Sequence, residues 1–168
     1  MAPLGLLIVF PFLMAYAAAN DLLTMLIPNR ITLALTAGFA ALAATGILSP
    51  VEIGLHLGAG ALVLAITFAL FACGIIGGGD AKLAAATALW LGFDHLLDYA
   101  VVSAMLGGGL TLALLAARSH PLPFAMARLP FALHLHDRKT GVPYGIALAA
   151  GALIVLPDTL LWARALTA

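Results

Sequence analysis

Apolar residues in this chain come in runs of helix length, and the polar residues fall between the runs. Six apolar segments can be drawn: residues 4–19, 31–48, 51–71, 81–93, 96–117 and 142–162. The second is closed by Ser49-Pro50, and Pro157 lies near the end of the sixth. A helix that crosses a bilayer needs about 20 residues, with a range of roughly 17–25. Segment 81–93 falls short, so it spans with help from its ends or inserts only partway. The pattern predicts an all-α polytopic membrane protein with about six transmembrane helices. No linker, internal repeat or low-complexity stretch divides it, so residues 1–168 read as one membrane-embedded domain.

Composition agrees with the pattern. Hydrophobic residues make up 64% of the 168, and charged residues only 8%. Mean hydropathy is +1.17. Soluble domains carry about a quarter charged residues, so an ordinary soluble fold is excluded. The 17 glycines fit close helix packing in lipid. With zero formal net charge and no basic tail, nothing points to nucleic acid. The first segment ends in Ala17-Ala18-Ala19, which resembles a signal cleavage site, but no Lys or Arg precedes it. Without that basic region it reads as the first transmembrane helix.

The few charges orient the chain. With six spans, the connections 21–30, 77–82 and 118–139 share one side. They hold Arg30, Lys82, Arg118, Arg128, Arg138 and Lys139, leaving only Arg164 of the seven basic residues elsewhere. Glu52, Asp94, Asp98 and Asp158 lie on the other side. The positive-inside rule puts the basic side in the cytoplasm and both termini on the non-cytoplasmic side. Asp21 and Asp80 then stand at the same, cytoplasmic face. The 118–141 connection, with prolines at 121, 123 and 130, is expected to lie on the membrane surface as a short amphipathic stretch.

Two features carry candidate chemistry. Gly77-Gly78-Gly79-Asp80-Ala81-Lys82 interrupts the apolar pattern with an acid beside a glycine run, and Asp21 ends the first apolar segment. Acids inside membrane segments are rare unless they pair, face a cavity or do chemistry. Two carboxylates a few ångströms apart cannot both ionise easily, so they share a proton. Such a pair can activate water with one member and protonate a leaving group with the other. Gly77 and Gly79 are expected to supply backbone conformations closed to other residues and a close approach to the backbone. Lys82 is expected to reach the surface. A glycine hinge with an aspartate N-cap is the competing explanation of the motif.

Other polar residues read as structural. Glu52 and His56, spaced i,i+4, are expected to satisfy one another. Gly107-Gly108-Gly109 and the Gly54/Gly58 pair are expected to serve tight helix packing. His120, His134 and His136 read as solvated, with no metal role. Cys73, the single cysteine, excludes an internal disulfide and reads as a small packing residue near a helix end. No metal or cofactor is implied.

The glycine–aspartate motif resembles the GxGD motif of type IV prepilin peptidases, polytopic membrane aspartic proteases. Asp21 followed by Ile27-Pro28-Asn29-Arg30 resembles that family's other aspartate region, and Val142-Pro143-Tyr144-Gly145, with Ala147 and Ala149 beyond, resembles its approach to the final helix. The resemblance implies that Asp21 and Asp80 are the catalytic pair. Gly77, Gly78, Gly79 and Lys82 would shape the site, while Pro28, Asn29 and Arg30 organise the loop after Asp21. It also implies cleavage of the basic leader of prepilins or pseudopilins, after a glycine, at the cytoplasmic face of a bacterial inner membrane. Longer family members carry a further domain, often with paired CxxC cysteines, that is associated with N-methylation. One cysteine could not build it. The chain therefore looks most like the short Flp/Tad-type (CpaA/TadV-like) enzymes, with peptidase but no methyltransferase activity. Other GxGD proteases, and a small transporter or assembly protein using the two aspartates for proton coupling, are the alternatives.

Overall fold

The computed structural model describes residues 2–123 and 128–167. The described residues form eight α-helices: α1 (Ala2–Thr24), α2 (Asn29–Ala44), α3 (Pro50–Ala72), α4 (Gly78–Leu91), α5 (Leu96–Arg118), α6 (Pro130–His136), α7 (Tyr144–Val155) and α8 (Leu160–Thr167). Single 3-10 turns at Phe93–His95 and Leu156–Asp158 join α4 to α5 and α7 to α8. No strand occurs among the described residues.

The helix ends follow from local chemistry. Ser49 caps α3 in a reciprocal capping box with Glu52, and Pro50 opens the helix where its missing N–H costs nothing. α3 and α5 match the apolar pattern to within a residue. α1 does not stop at Ala19 but runs on to Thr24, so Asp21 sits on a helix and not beyond one. The sixth segment is broken. Helix α7 ends at Val155, the turn Leu156–Asp158 carries Pro157, and α8 leaves at 58°. Proline cannot continue the hydrogen-bond ladder, which accounts for the break.

Helix α4 is the centre of the bundle. It packs on α3, α2 and α7, while α1 closes against α2 and α7, and α5 against α7. Trp90 of α4 is fully buried beside Phe10, with ring centroids 5.0 Å apart, and its Nε1 donates to Leu35 O at 3.0 Å. Gly38 leaves room for the indole, because a Cβ there would meet it at 3.1 Å. Leu7, Met14, Leu35 and Leu83 complete this core.

Among the described residues, three helical stretches are long and apolar enough to cross a membrane: Leu7–Thr24, Pro50–Ala72 and Phe93–Arg118. The bent pair α7–α8 makes up to four. The other two expected segments form helices of 16 and 14 residues, α2 and α4. α4 can be short and alanine-rich because neighbouring helices, not lipid, cover most of its surface.

Several expectations on polar residues need correction. Glu52 and His56 do not satisfy each other. Glu52 forms a two-pronged pair with Arg164 at 2.8 and 2.9 Å, tying α8 to α3. The ring Nδ1 of His56 meets Leu89 O at 2.7 Å, an orphan carbonyl at the end of α4. Cys73 is exposed, so it is not a packing residue. Gly107 does serve close packing, since a Cβ there would fall 2.1 Å from the Tyr144 ring, and Gly58 packs on Phe93. Gly54, Gly108 and Gly109 have open space instead. The expected surface stretch includes helix α6, docked by the buried Arg118, which donates to Leu135 O and Gly141 O. Its residues 124–127 lie outside the described ones.

Candidate functional site

Asp21 lies in the last turns of α1 and is 5% exposed. Its Oδ2 accepts from the backbone N–H of Gly145 at 2.8 Å. Gly145 belongs to the first turn of α7, so the carboxylate faces the positive end of that helix, where negative charge is favoured. No side chain could replace this hydrogen. A Cβ on residue 145 would stand 2.8 Å from Asp21 Oδ2 and 2.7 Å from Ile27 Cδ1. That contact gives the glycine of the Val-Pro-Tyr-Gly stretch a physical reason.

Asp80 lies in the first turn of its own helix, α4. Its carboxylate folds back over Gly77, where a Cβ would lie 3.0 Å from Oδ2. Both acids therefore sit at helix N-termini, Asp80 on its own and Asp21 on that of α7. Ile27 fills the space between the two ends. A Cβ on Gly79 would meet its Cβ at 3.1 Å, and its Cδ1 reaches toward Gly145.

The glycine run works by space and not by special dihedrals. Gly77 is extended, with φ −72° and ψ 144°, and Gly78 and Gly79 are helical. The left-handed glycine is Gly74, at φ +73°, where the chain leaves α3. Gly78 lies under the Phe71 ring, 3.2 Å from where its Cβ would be. The expectation of unusual conformations at Gly77 and Gly79 is therefore corrected; another segment approaches closely at Gly79, where Ile27 packs, while Gly77 makes room for the Asp80 side chain of its own helix.

The remaining expected residues tie the two loops together. Lys82 is exposed and donates to Asn29 Oδ1 at 3.0 Å, bridging the first turns of α4 and α2. Pro28 is the extended N-cap of α2. Arg30 points the other way and donates to the Tyr16 hydroxyl at 2.9 Å. Asn20 and Thr24 fold the chain after Asp21 by bonding to Leu26 O, and Met25 takes a left-handed φ of +56°. Among the described residues no group of three or more His, Cys, Asp or Glu could hold a metal ion.

Two contributors escaped the list of expected site residues, Gly145 and Ile27. Their signals were in the sequence, in the Val-Pro-Tyr-Gly stretch and at the head of Ile-Pro-Asn-Arg. What each touches depends on contacts between about 50 and 124 positions away.

One family model matches the chain, that of the type IV leader peptidase family, over residues 8–112. The matched stretch takes in Asp21, the Ile-Pro-Asn-Arg loop and the whole glycine–aspartate turn, and leaves out Tyr144 and Gly145. No curated protein and no solved structure matches it.

Proposed function

We propose that this chain, which belongs to the type IV leader peptidase family, is a membrane aspartic endopeptidase with Asp21 and Asp80 as its catalytic pair. The observation that carries the reading is that the two acids sit at the N-termini of α7 and α4, and that both of these helix ends pack on the same residue, Ile27. The pair binds one proton. The ionised member takes a proton from a water whose oxygen attacks the scissile carbonyl carbon. The protonated member donates to the carbonyl oxygen, giving a gem-diol; the member that took the water proton then passes it to the leaving nitrogen as the C–N bond breaks, and a gem-diol hydroxyl returns its proton to the first carboxylate as the C=O bond re-forms. The products are a leader with a new carboxylate and a mature chain with a new amine. The helix N-termini stabilise whichever carboxylate is charged. The Lys82–Asn29 bridge holds the two loops at fixed separation.

The substrate is a prepilin or pseudopilin with a basic leader and an apolar helix, cut at the cytoplasmic face of a bacterial inner membrane. Six crossings, by α1 to α5 and the α7–α8 pair, with both termini outside, follow from the distribution of Arg and Lys. The proposed activity of this stretch is that of a peptidase of the Flp/Tad type; its one cysteine, Cys73, carries none of the paired motifs associated with methylation.

The test is co-expression with a prepilin, read as a size shift and by the N-terminal sequence of the product. Wild type should release a mature chain cut after a glycine. Asp21→Asn and Asp80→Asn should reach the membrane at normal levels and leave the precursor uncut. Normal processing by either variant defeats the proposal.

A further inference from the structure

A leader peptidase must hold the scissile bond at its acids while the following apolar segment of the substrate stays in the bilayer. Two grooves run beside α4. Helix α3 packs chiefly on α4 and α5 chiefly on α7, so α3 and α5 stand apart with a cavity of about 500 Å³ between them. Its walls are Leu62 and Ile66 on α3, facing Ala100 and Ala104 on α5. All four are exposed, and each pair is spaced i,i+4 along its helix. Ala84 of α4 forms the floor, and Tyr144 closes one end.

That end adjoins the site described above. Tyr144 precedes Gly145, the donor to Asp21. Thr67, also in the lining, donates to Ala81 O at 3.2 Å, one residue from Asp80. Ala84 lies one helical turn beyond Asp80. Neither acid lines the groove, but its lining reaches residues next to both, Ala81 through Thr67 and Gly145 through Tyr144. No charged residue lines it. The second groove, about 310 Å³ between α2 and α3, carries Lys82 instead. A substrate whose positive leader must reach the acids is disfavoured beside that ammonium.

We propose that the α3–α5 groove is where the apolar helix of the substrate docks, with Ala100 and Ala104 as the small-residue face that lets it approach. This rests on the peptidase reading of the same site. The helix lies against α5, and its cytoplasmic end delivers the scissile bond past Tyr144 to Asp21 and Asp80. Specificity for a membrane-anchored chain over a soluble peptide arises here and not at the aspartates.

The experiment compares an anchored substrate, with basic leader and apolar helix, against the same leader followed by a short polar tail. Ala104→Trp fills the groove. It should lower cleavage of the anchored substrate by about tenfold or more and leave the polar-tailed one within about twofold of wild type. Ala61→Trp, in the α2–α3 groove, should change neither. A photo-crosslinker in place of Ala100 should capture the anchored substrate, and one in place of Ala61 should not. Retained cleavage of the polar-tailed substrate shows that the variant is folded. If wild type cuts both substrates while Ala104→Trp cuts both normally, or the crosslinker at 100 captures only lipid, the groove proposal is overturned and the peptidase stands. If wild type cuts neither, the peptidase reading fails and this one with it.

Discussion

Replacing Gly145 by alanine adds one methyl group and tests the geometry around Asp21. The new Cβ would fall 2.8 Å from Asp21 Oδ2, 3.0 Å from its Cγ and 2.7 Å from Ile27 Cδ1. Carbon atoms do not approach that closely, so the carboxylate must leave the Gly145 N–H. A hydrogen bond to a charged group contributes about 1.5–3 kcal/mol. If that bond orients the catalytic carboxylate, its loss converts to a fall in kcat of roughly 10- to 150-fold. The fold itself should survive, because alanine is a better helix former than glycine by about 1 kcal/mol. The assay is single-turnover cleavage in membrane vesicles, with thermal stability in detergent measured on the same preparations. Gly108→Ala, where nothing lies within 4 Å, is the matched control and should behave as wild type. A Gly145→Ala enzyme that is normally folded and cuts at the wild-type rate would refute the reasoning, for Asp21 would not need that bond.

Other parts of the structure give separate expectations. Trp90→Phe removes the indole bond to Leu35 O and leaves space where the buried larger ring packed, and should destabilise the protein by about 1–3 kcal/mol, measured by denaturation in detergent; a change under about 0.5 kcal/mol contradicts this packing. Lys82→Met and Asn29→Ala should each slow cleavage by about two- to tenfold and the double variant no further, since they break one bridge; additive losses would mean that the two act separately. Arg164→Ala removes both bonds to Glu52 and should lower the melting temperature without changing the cleavage rate, as the pair ties α8 to the start of α3; an unchanged melting temperature counts against that tie.

Much of the helix layout could be read from apolar runs, because a helix in lipid must be apolar over its whole length. Helices α3 and α5, the most lipid-exposed, therefore came within a residue of their expected bounds. The pattern missed the end of α1, which runs on through Asp21 to Thr24. α4 is short, as expected, and takes its first residues from the glycine run; it is alanine-rich because its neighbours bury it. Local spacing also misled. Glu52 and His56 share a helix face, yet each finds a stronger partner far away in sequence, Arg164 at 112 positions and Leu89 at 33. The acids themselves were legible, since a carboxylate in an apolar run is conspicuous. The glycines beside Asp80 were legible as a motif but not in their mechanism, which is space for Ile27, Phe71 and the Asp80 carboxylate.

The central claim is that Asp21 and Asp80 act as one unit, and a double-mutant cycle measures this most directly. Single-turnover cleavage of an anchored prepilin is compared for wild type, Asp21→Asn, Asp80→Asn and the double variant, at equal folded enzyme. Residues that share one proton and one water fail together, so each single change should cost as much as both. Cleavage that falls by independent factors, multiplying in the double variant, or that persists in either single variant, would contradict the account.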